Sequence, residues 1–170
     1  MLVIRLAKIV CVAALALDLA LVAFDNLTDY GTNFSFVAKV LSMSDIPPSS
    51  HLHWRAITLP LLHHASYAAI IITEIAASAL MAFGVFSLGQ KALAKAAEFH
   101  KAKQSAAAGL ALGFVLYAGG FLAVGGEWFG MWESKALSDA LQSAFRIAMT
   151  MLGTLIFLSL KDEELDRSTL

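Results

Sequence analysis

Three ionisable residues lie inside long apolar stretches of this sequence, and these are Asp18, Glu74 and Arg146. They are the side chains that are best placed to do chemistry. A charge in the middle of a bilayer costs several kcal/mol unless it is paired or hydrated. The arginine side chain offers a planar fork of donors that fits one or two carboxylates. We therefore expect Arg146 to bridge Glu74, Asp18 or both, with Glu127 at the end of the third stretch as a borderline fourth member of this polar cluster.

Helical spacing predicts that three of the stretches turn one polar or small face inward. The residues that follow this spacing are His63, Tyr67, Glu74 and Ser78 on the second stretch, Gly109, Gly113, Tyr117 and Gly120 on the third, and Gln142, Arg146, Thr150 and Gly153 on the fourth. Two interpretations stay open. The polar cluster fixes the register of the helices, or it lines a cavity that opens outward and binds a small molecule, a proton or a partner.

Templates for catalysis and cofactor binding are weak in this chain. The histidines His51, His53, His63 and His64 lie in or beside one loop, and adjacent rings on one segment rarely aim at a common ion. The sequence contains neither an HExxH nor a GxSxG motif, and its single cysteine, Cys11, excludes an intrachain disulfide. We expect no catalytic residues, no bound metal and no haem.

The composition is that of a membrane protein. Of 170 residues, 59% are hydrophobic and 15% are charged, with a mean hydropathy of +0.73. These values exclude a disordered tail and an ordinary soluble domain, and a net charge of −1 gives no field that would attract nucleic acid. Apolar stretches at residues 6–24, 62–88, 106–124 and 139–160 can each cross a hydrocarbon core about 30 Å thick.

These stretches predict an all-α fold, a four-helix transmembrane bundle that forms a single integral membrane domain over residues 1–170. The connections are outer loops at residues 25–61 and 125–138 and a cytoplasmic loop at residues 89–105. In the first outer loop, Phe34, Val37 and Leu41 recur at helical spacing before the Pro47-Pro48 break. This pattern predicts a short interfacial helix over the outer mouth of the bundle.

Basic residues set the expected orientation. Arg5 and Lys8 precede or begin the first helix, and Lys91, Lys95, Lys101, Lys103, Lys161 and Arg167 fall on the same side of the membrane. The three tryptophans Trp54, Trp128 and Trp132 fall on the other side, at headgroup level. We expect a multi-pass protein of the bacterial inner (plasma) membrane with both termini in the cytoplasm. The loop lysines are expected to meet anionic lipid.

A resemblance to a known family is carried by five segments, which are Asn26-Leu27-Thr28-Asp29-Tyr30, Asn33-Phe34-Ser35-Phe36-Val37, Val40-Leu41-Ser42-Met43, Gly126-Glu127-Trp128-Phe129-Gly130-Met131-Trp132-Glu133-Ser134 and Ala144-Phe145-Arg146. Over essentially its whole length the chain resembles DUF2165, a bacterial family of predicted small integral membrane proteins. The resemblance implies a four-helix inner-membrane protein and brings no established activity. It also implies that Asn26, Asp29, Asn33, Glu127 and Arg146 are polar marks of the family pattern.

The expected function is non-enzymatic. We expect an accessory or scaffold subunit that sits in the lipid bilayer and packs against a larger membrane complex, or a homo-oligomer. The alternative is a small-ligand or proton-linked transporter or binding protein that uses a cavity around Glu74 and Arg146. A redox enzyme with bound haem or quinone is a third hypothesis. Access of water to the polar cluster would separate the first two.

Overall fold

The computed structural model describes residues 2–165, and this part of the chain is helical with no strand. The helices are α1 (Leu2–Thr28), α2 (Tyr30–Ser42), α3 (Pro60–Gln90), α4 (Ala96–Lys101), α5 (Gln104–Phe114) and α6 (Lys135–Ser159). Helix α5 continues without interruption as a π-helix, Val115–Trp128, and short 3₁₀ turns cover His53–Arg55 and Met131–Glu133.

Within the described residues, four helical segments are long and apolar enough to cross a membrane, and these are Leu2–Thr28, Pro60–Gln90, Ala96–Trp128 and Lys135–Ser159. The predicted four-helix transmembrane bundle is therefore confirmed. Each helix extends beyond at least one end of its predicted span, because hydropathy marks the apolar centre of a helix whereas backbone hydrogen bonds continue into its polar ends. We call the end of the bundle that carries α2 the cap end and the end that carries α4 the tail end.

Small residues let α3 and α5 approach closely in the tail-end half of the bundle. A Cβ atom added to Gly84 would lie 2.5 Å from the Cβ atom of Ala106, and one added to Gly109 would lie 2.6 Å from the carbonyl oxygen of Ala77. Contacts this short mean that the two backbones touch where the glycines stand. Around this contact the buried apolar core includes Val12, Leu19, Met81, Leu110, Ala148 and Met151.

The cap end has a second apolar core of its own. Val40 and Leu41 of α2 are buried together with Ile46 and Phe129 from the two cap-end loops and with Leu137 from the first turn of α6. Helix α2 ends where Met43 adopts a left-handed conformation (φ 54°), which turns the chain back toward the bundle. The short helix predicted for the first outer loop is thus present as α2, and it is attached to the ends of the spans by a continuous apolar contact.

The glycine contact gives a first testable prediction. Replacing Gly84 by alanine should lower the free energy of unfolding by about 1–3 kcal/mol, because the added methyl group has to displace Ala106 and its backbone. The measurement is thermal or denaturant unfolding of the purified protein in detergent micelles.

Gly153→Ala is the matched control, since no atom lies within 4 Å of a Cβ added at that position. Alanine is the better helix former, so this variant should be unchanged or slightly more stable. Equal stability of the two variants would show that α3 and α5 are not held in backbone contact.

Candidate functional site

Glu74 lies at the centre of a buried polar face on α3. Its side chain is 1% exposed, and its Oε2 atom accepts a hydrogen bond from the Asn26 amide nitrogen at 2.8 Å. The Tyr67 hydroxyl donates to the Asn26 carbonyl oxygen at 2.8 Å, and the Ser78 hydroxyl donates to the carbonyl oxygen of Ala16 at 2.8 Å. The inward face predicted for α3 is therefore correct, and its polar groups bind α1.

Arg146 does not join this group, so the expected bridge between Arg146 and the acids is wrong. Its side chain is exposed, and its Nη2 atom donates to the hydroxyl of Ser143 at 2.9 Å. Helix α6 turns Ala144, Ala148 and Met151 toward the bundle, so the opposite face, which carries Arg146, points away from Glu74. The spacing of these small and apolar residues was the available signal that the polar stripe of α6 faces outward.

The two remaining members of the predicted cluster are also exposed. Asp18 is an exposed residue of α1, while Leu15 and Leu19 of the same helix are buried in the core. Glu127, near the end of the π-helix, is exposed, and its backbone carbonyl rather than its carboxylate accepts a hydrogen bond from Arg55. Of the four predicted residues, Glu74 is the buried one, and the structure does not bring the four together.

A charged cluster that sequence reasoning missed lies at the tail end. Asp162 is 8% exposed and accepts a hydrogen bond from Lys8 at 2.8 Å, and it also forms an ion pair with Lys103. Both ammonium groups donate to the carbonyl oxygen of Leu160 as well, at 2.7 Å for Lys8 and 2.9 Å for Lys103. These contacts attach the segment after α6 to α1 and to the turn that precedes α5.

Arg5 extends the tail-end cluster. Its side chain is 1% exposed and donates to the carbonyl oxygens of Ala92 at 3.0 Å and Ala94 at 2.6 Å, and to that of Glu163 at 2.9 Å. Its guanidinium carbon lies 4.9 Å from the centre of the Phe99 ring. The sequence predicted that Arg5, Lys8 and Lys103 set the orientation of the protein or contact anionic lipid. In the structure all three are buried and bind other parts of the chain. The hydropathy of the sequence could not predict these contacts, because it does not show which charged side chains pair in the folded protein.

The environment of Asp162 also affects its ionisation. Burial of the carboxyl group would by itself raise its pKa, but hydrogen bonds from Lys103 and Lys8 and the charges of both ammonium groups lower the pKa below the usual value for an aspartate. The folded state thus favours the carboxylate form.

Histidine and aromatic side chains form a stack at the cap end. The rings of Phe34 and His64 are parallel, with centroids 4.0 Å apart, and the Tyr30 hydroxyl lies 2.8 Å from the His64 Nδ1 atom. Within residues 2–165 there is no group of three or more histidine, cysteine, aspartate or glutamate side chains that could hold a metal ion.

An apolar cavity of about 610 Å³ lies at the cap end, between α2, α3 and the π-helix. Its walls include Phe36, Val40, Ile70 and Phe121, and they include neither Glu74 nor Arg146. At its edge Trp128 stacks on Arg55, whose guanidinium carbon lies 4.8 Å from the Trp128 ring centre and 5.3 Å from that of Trp54. Arg146 lines a separate, smaller pocket on the side of α6, together with Leu122 of the π-helix, and Glu74 is not part of its lining.

Comparison with known protein families identifies the relatives of this chain. The model of one family, described as predicted small integral membrane protein (DUF2165), matches residues 4–161. The chain belongs to the DUF2165 family. No curated protein and no solved structure matches it. Membership agrees with the four apolar spans, so this DUF2165 protein is a small integral membrane protein in contact with lipid.

The tail-end cluster gives a second prediction for the DUF2165 protein. Asp162→Asn should lower the free energy of unfolding by about 3–5 kcal/mol, because it leaves the buried ammonium groups of Lys8 and Lys103 without a counter-charge. Asp139→Asn is the control, since Asp139 is exposed on α6 and should tolerate the change.

The same variants test the pH dependence. Because folding lowers the pKa of Asp162, its contribution is complete above the ordinary aspartate pKa of about 4 and is lost as the pH falls below that value. The unfolding midpoint of the wild type in detergent should therefore fall more between neutral and strongly acidic pH than that of Asp162→Asn. Parallel losses in both proteins would contradict the ion pairs.

Proposed function

We propose that this protein is a non-enzymatic accessory or scaffold subunit of the bacterial inner membrane, which packs against a larger membrane complex or against further copies of itself. The observation that carries the proposal is the outward polar face of α6. Gln142, Arg146 and Thr150 are exposed on this face, one helical turn apart from each other. An arginine that faces acyl chains is costly, whereas an acidic or polar side chain from a neighbouring helix would compensate it.

The residue types of this face also favour a helix–helix contact. Gly153 continues the polar stripe toward the tail end and is exposed, with no atom within 4 Å of a Cβ added to it. Small and polar residues are the ones that bring transmembrane helices together, because lipid supplies no hydrophobic drive for association. A partner helix that carries an acidic residue at the depth of Arg146 would complete this surface.

The orientation proposed for the subunit has both termini in the cytoplasm. The tail end carries Arg5, Lys8 and the lysines of the segment around α4, whereas the cap end carries Lys39, Arg55 and Lys135. This excess of basic residues supports a cytoplasmic tail end under the positive-inside rule. The tryptophans Trp54, Trp128 and Trp132 then lie at the outer headgroups.

Charge reversal at Arg146 tests the scaffold proposal. Two differently tagged copies are expressed in the native bacterium, and assembly is measured by the size of the complex and by recovery of the second tag or of one stoichiometric companion. Arg146→Glu should abolish the assembly while leaving the unfolding midpoint within about 2 °C of wild type, because a surface substitution of this kind changes stability little.

Lys135→Glu is the matched control, since Lys135 is an exposed cation at the first residue of the same helix. It should leave the assembly intact. An assembly that survives Arg146→Glu, or a wild type that is monomeric in native lipid, would refute the proposed role.

The second candidate is a small-ligand or proton-linked binding protein or transporter. The observation that favours it is the buried carboxyl group of Glu74, which is 1% exposed in the centre of a span and has Tyr117 of the π-helix beside it. Buried ionisable residues inside membranes commonly mark ion or proton pathways. This candidate requires a water-filled route from the cap end to Glu74.

Cysteine labelling separates the two candidates. In a Cys11→Ala background, Ser78→Cys should resist a membrane-impermeant maleimide, because Ser78 is buried in the contact between α1 and α3. Ser44→Cys in the exposed cap-end loop serves as the positive control and should react. Efficient labelling of Ser78→Cys would favour the binding or transport function over the scaffold.

A further inference from the structure

The cap-end cavity has the position and the lining of a site for a lipid chain. It measures about 610 Å³, within the range of about 300–1,000 Å³ that is usual for small-molecule sites. The cavity is present because α3 touches α5 at Gly84 and Gly109 in the tail-end half. Toward the cap end, α3 makes few contacts with the π-helix that continues α5. Helix α2 covers the resulting gap.

The walls of the cavity select an apolar occupant. Phe36 and Val40 come from α2, Ile70 from α3 and Leu116 and Phe121 from the π-helix. The Ser66 hydroxyl and the Trp128 indole are the polar side-chain groups in the lining, so the bulk of any ligand here has to be hydrocarbon. Since the cavity lies between transmembrane spans at the level where they meet α2, lipid tails are the hydrocarbon available to it.

A cation lies beside this cavity, in contact with Trp128 of its lining. Arg55 is held between Trp54 and Trp128, and its Nη1 atom donates to the carbonyl oxygens of Glu127 at 3.2 Å and Trp128 at 3.1 Å. In the described part of the chain the hydrogen bonds of this guanidinium all run through Nη1, and Arg55 forms no ion pair with Glu127. Its Nη2 group is therefore left to bind an anion.

We propose that the cavity binds one acyl chain of an anionic phospholipid, whose phosphate is held by Arg55. Trp128 links the two parts of the site, because it is a lining residue of the cavity and its ring lies against the Arg55 guanidinium. The requirement for both an apolar chain and an anionic headgroup distinguishes this site from ordinary lipid contact along the exposed helices. The proposal is independent of the contact proposed for α6.

The test is lipid retention measured by native mass spectrometry of the full-length protein in detergent. The protein is exchanged into micelles that contain phosphatidylglycerol, phosphatidylcholine or oleic acid, the two phospholipids having identical oleoyl chains. We expect one phosphatidylglycerol molecule to be retained, with about tenfold weaker retention of phosphatidylcholine. Both lipids carry the phosphate, but the quaternary ammonium of phosphatidylcholine cancels its net negative charge and repels the Arg55 guanidinium. This comparison uses the wild type and does not depend on any variant.

Two variants locate the site. Arg55→Gln should reduce phosphatidylglycerol retention to the level of phosphatidylcholine, whereas Lys135→Gln, which removes an exposed cation at the same end of the bundle, should not. Gly120→Phe should abolish retention of both phospholipids, because Gly120 lines the cavity and its added side chain would enter it. Unfolding midpoints close to wild type show that the variants are folded.

Three outcomes would overturn the proposal. Equal retention of the two phospholipids by the wild type would show that the site does not recognise the negative charge of the headgroup. Retention by Gly120→Phe at the level of the wild type would place the lipid elsewhere. Retention of oleic acid without either phospholipid would show that the site takes a free fatty acid and not a lipid of the bilayer.

Discussion

The close contact between α3 and α5 determines the shape of the whole bundle. Gly84 and Gly109 lack side chains at the points where the two backbones meet, and a single Cβ atom at either position would overlap its neighbours. The helices are therefore fixed in the tail-end half and diverge toward the cap end. The cavity between α3 and the π-helix, and the need for α2 to cover it, both follow from this divergence.

Charged side chains are buried and paired at the tail end of the bundle but exposed on α6. At the tail end, Lys8 and Lys103 are buried against Asp162, and Arg5 is satisfied by backbone carbonyl oxygens. These cations therefore contribute to the fold. On α6, by contrast, Arg146 is exposed, and among residues 2–165 its side chain donates one hydrogen bond, to Ser143 of its own helix. A charge within a span that has no ion-pair partner in the described part of the chain favours a partner outside it, which is why this face supports the proposed role as a subunit.

The candidate site could be predicted only in part. The inward direction of Glu74 was predicted correctly because it shares a helical spacing with Tyr67 and Ser78, which are buried on the same face of α3. Helix α6 has both a polar face and a face of small apolar residues at helical spacing, so its sequence offers two candidates for the buried side. The polar face was assigned inward because lipid disfavours charge, but Ala144, Ala148 and Met151 fill the core there. Asp162 was missed because its partners Lys8 and Lys103 are far from it in the sequence.

The sequence by itself determined that this chain crosses a membrane with four helices, because hydrophobic length and the exclusion of charge are properties of each segment alone. It also determined that a short helix follows the first span, since the apolar spacing of that loop is local. Only the tertiary structure decided which charges are paired, which face of α6 is left free and where the cavity lies. Those features depend on the rotation of each helix about its axis and on the distance between helices, and both are set by side-chain contacts between segments remote in the chain.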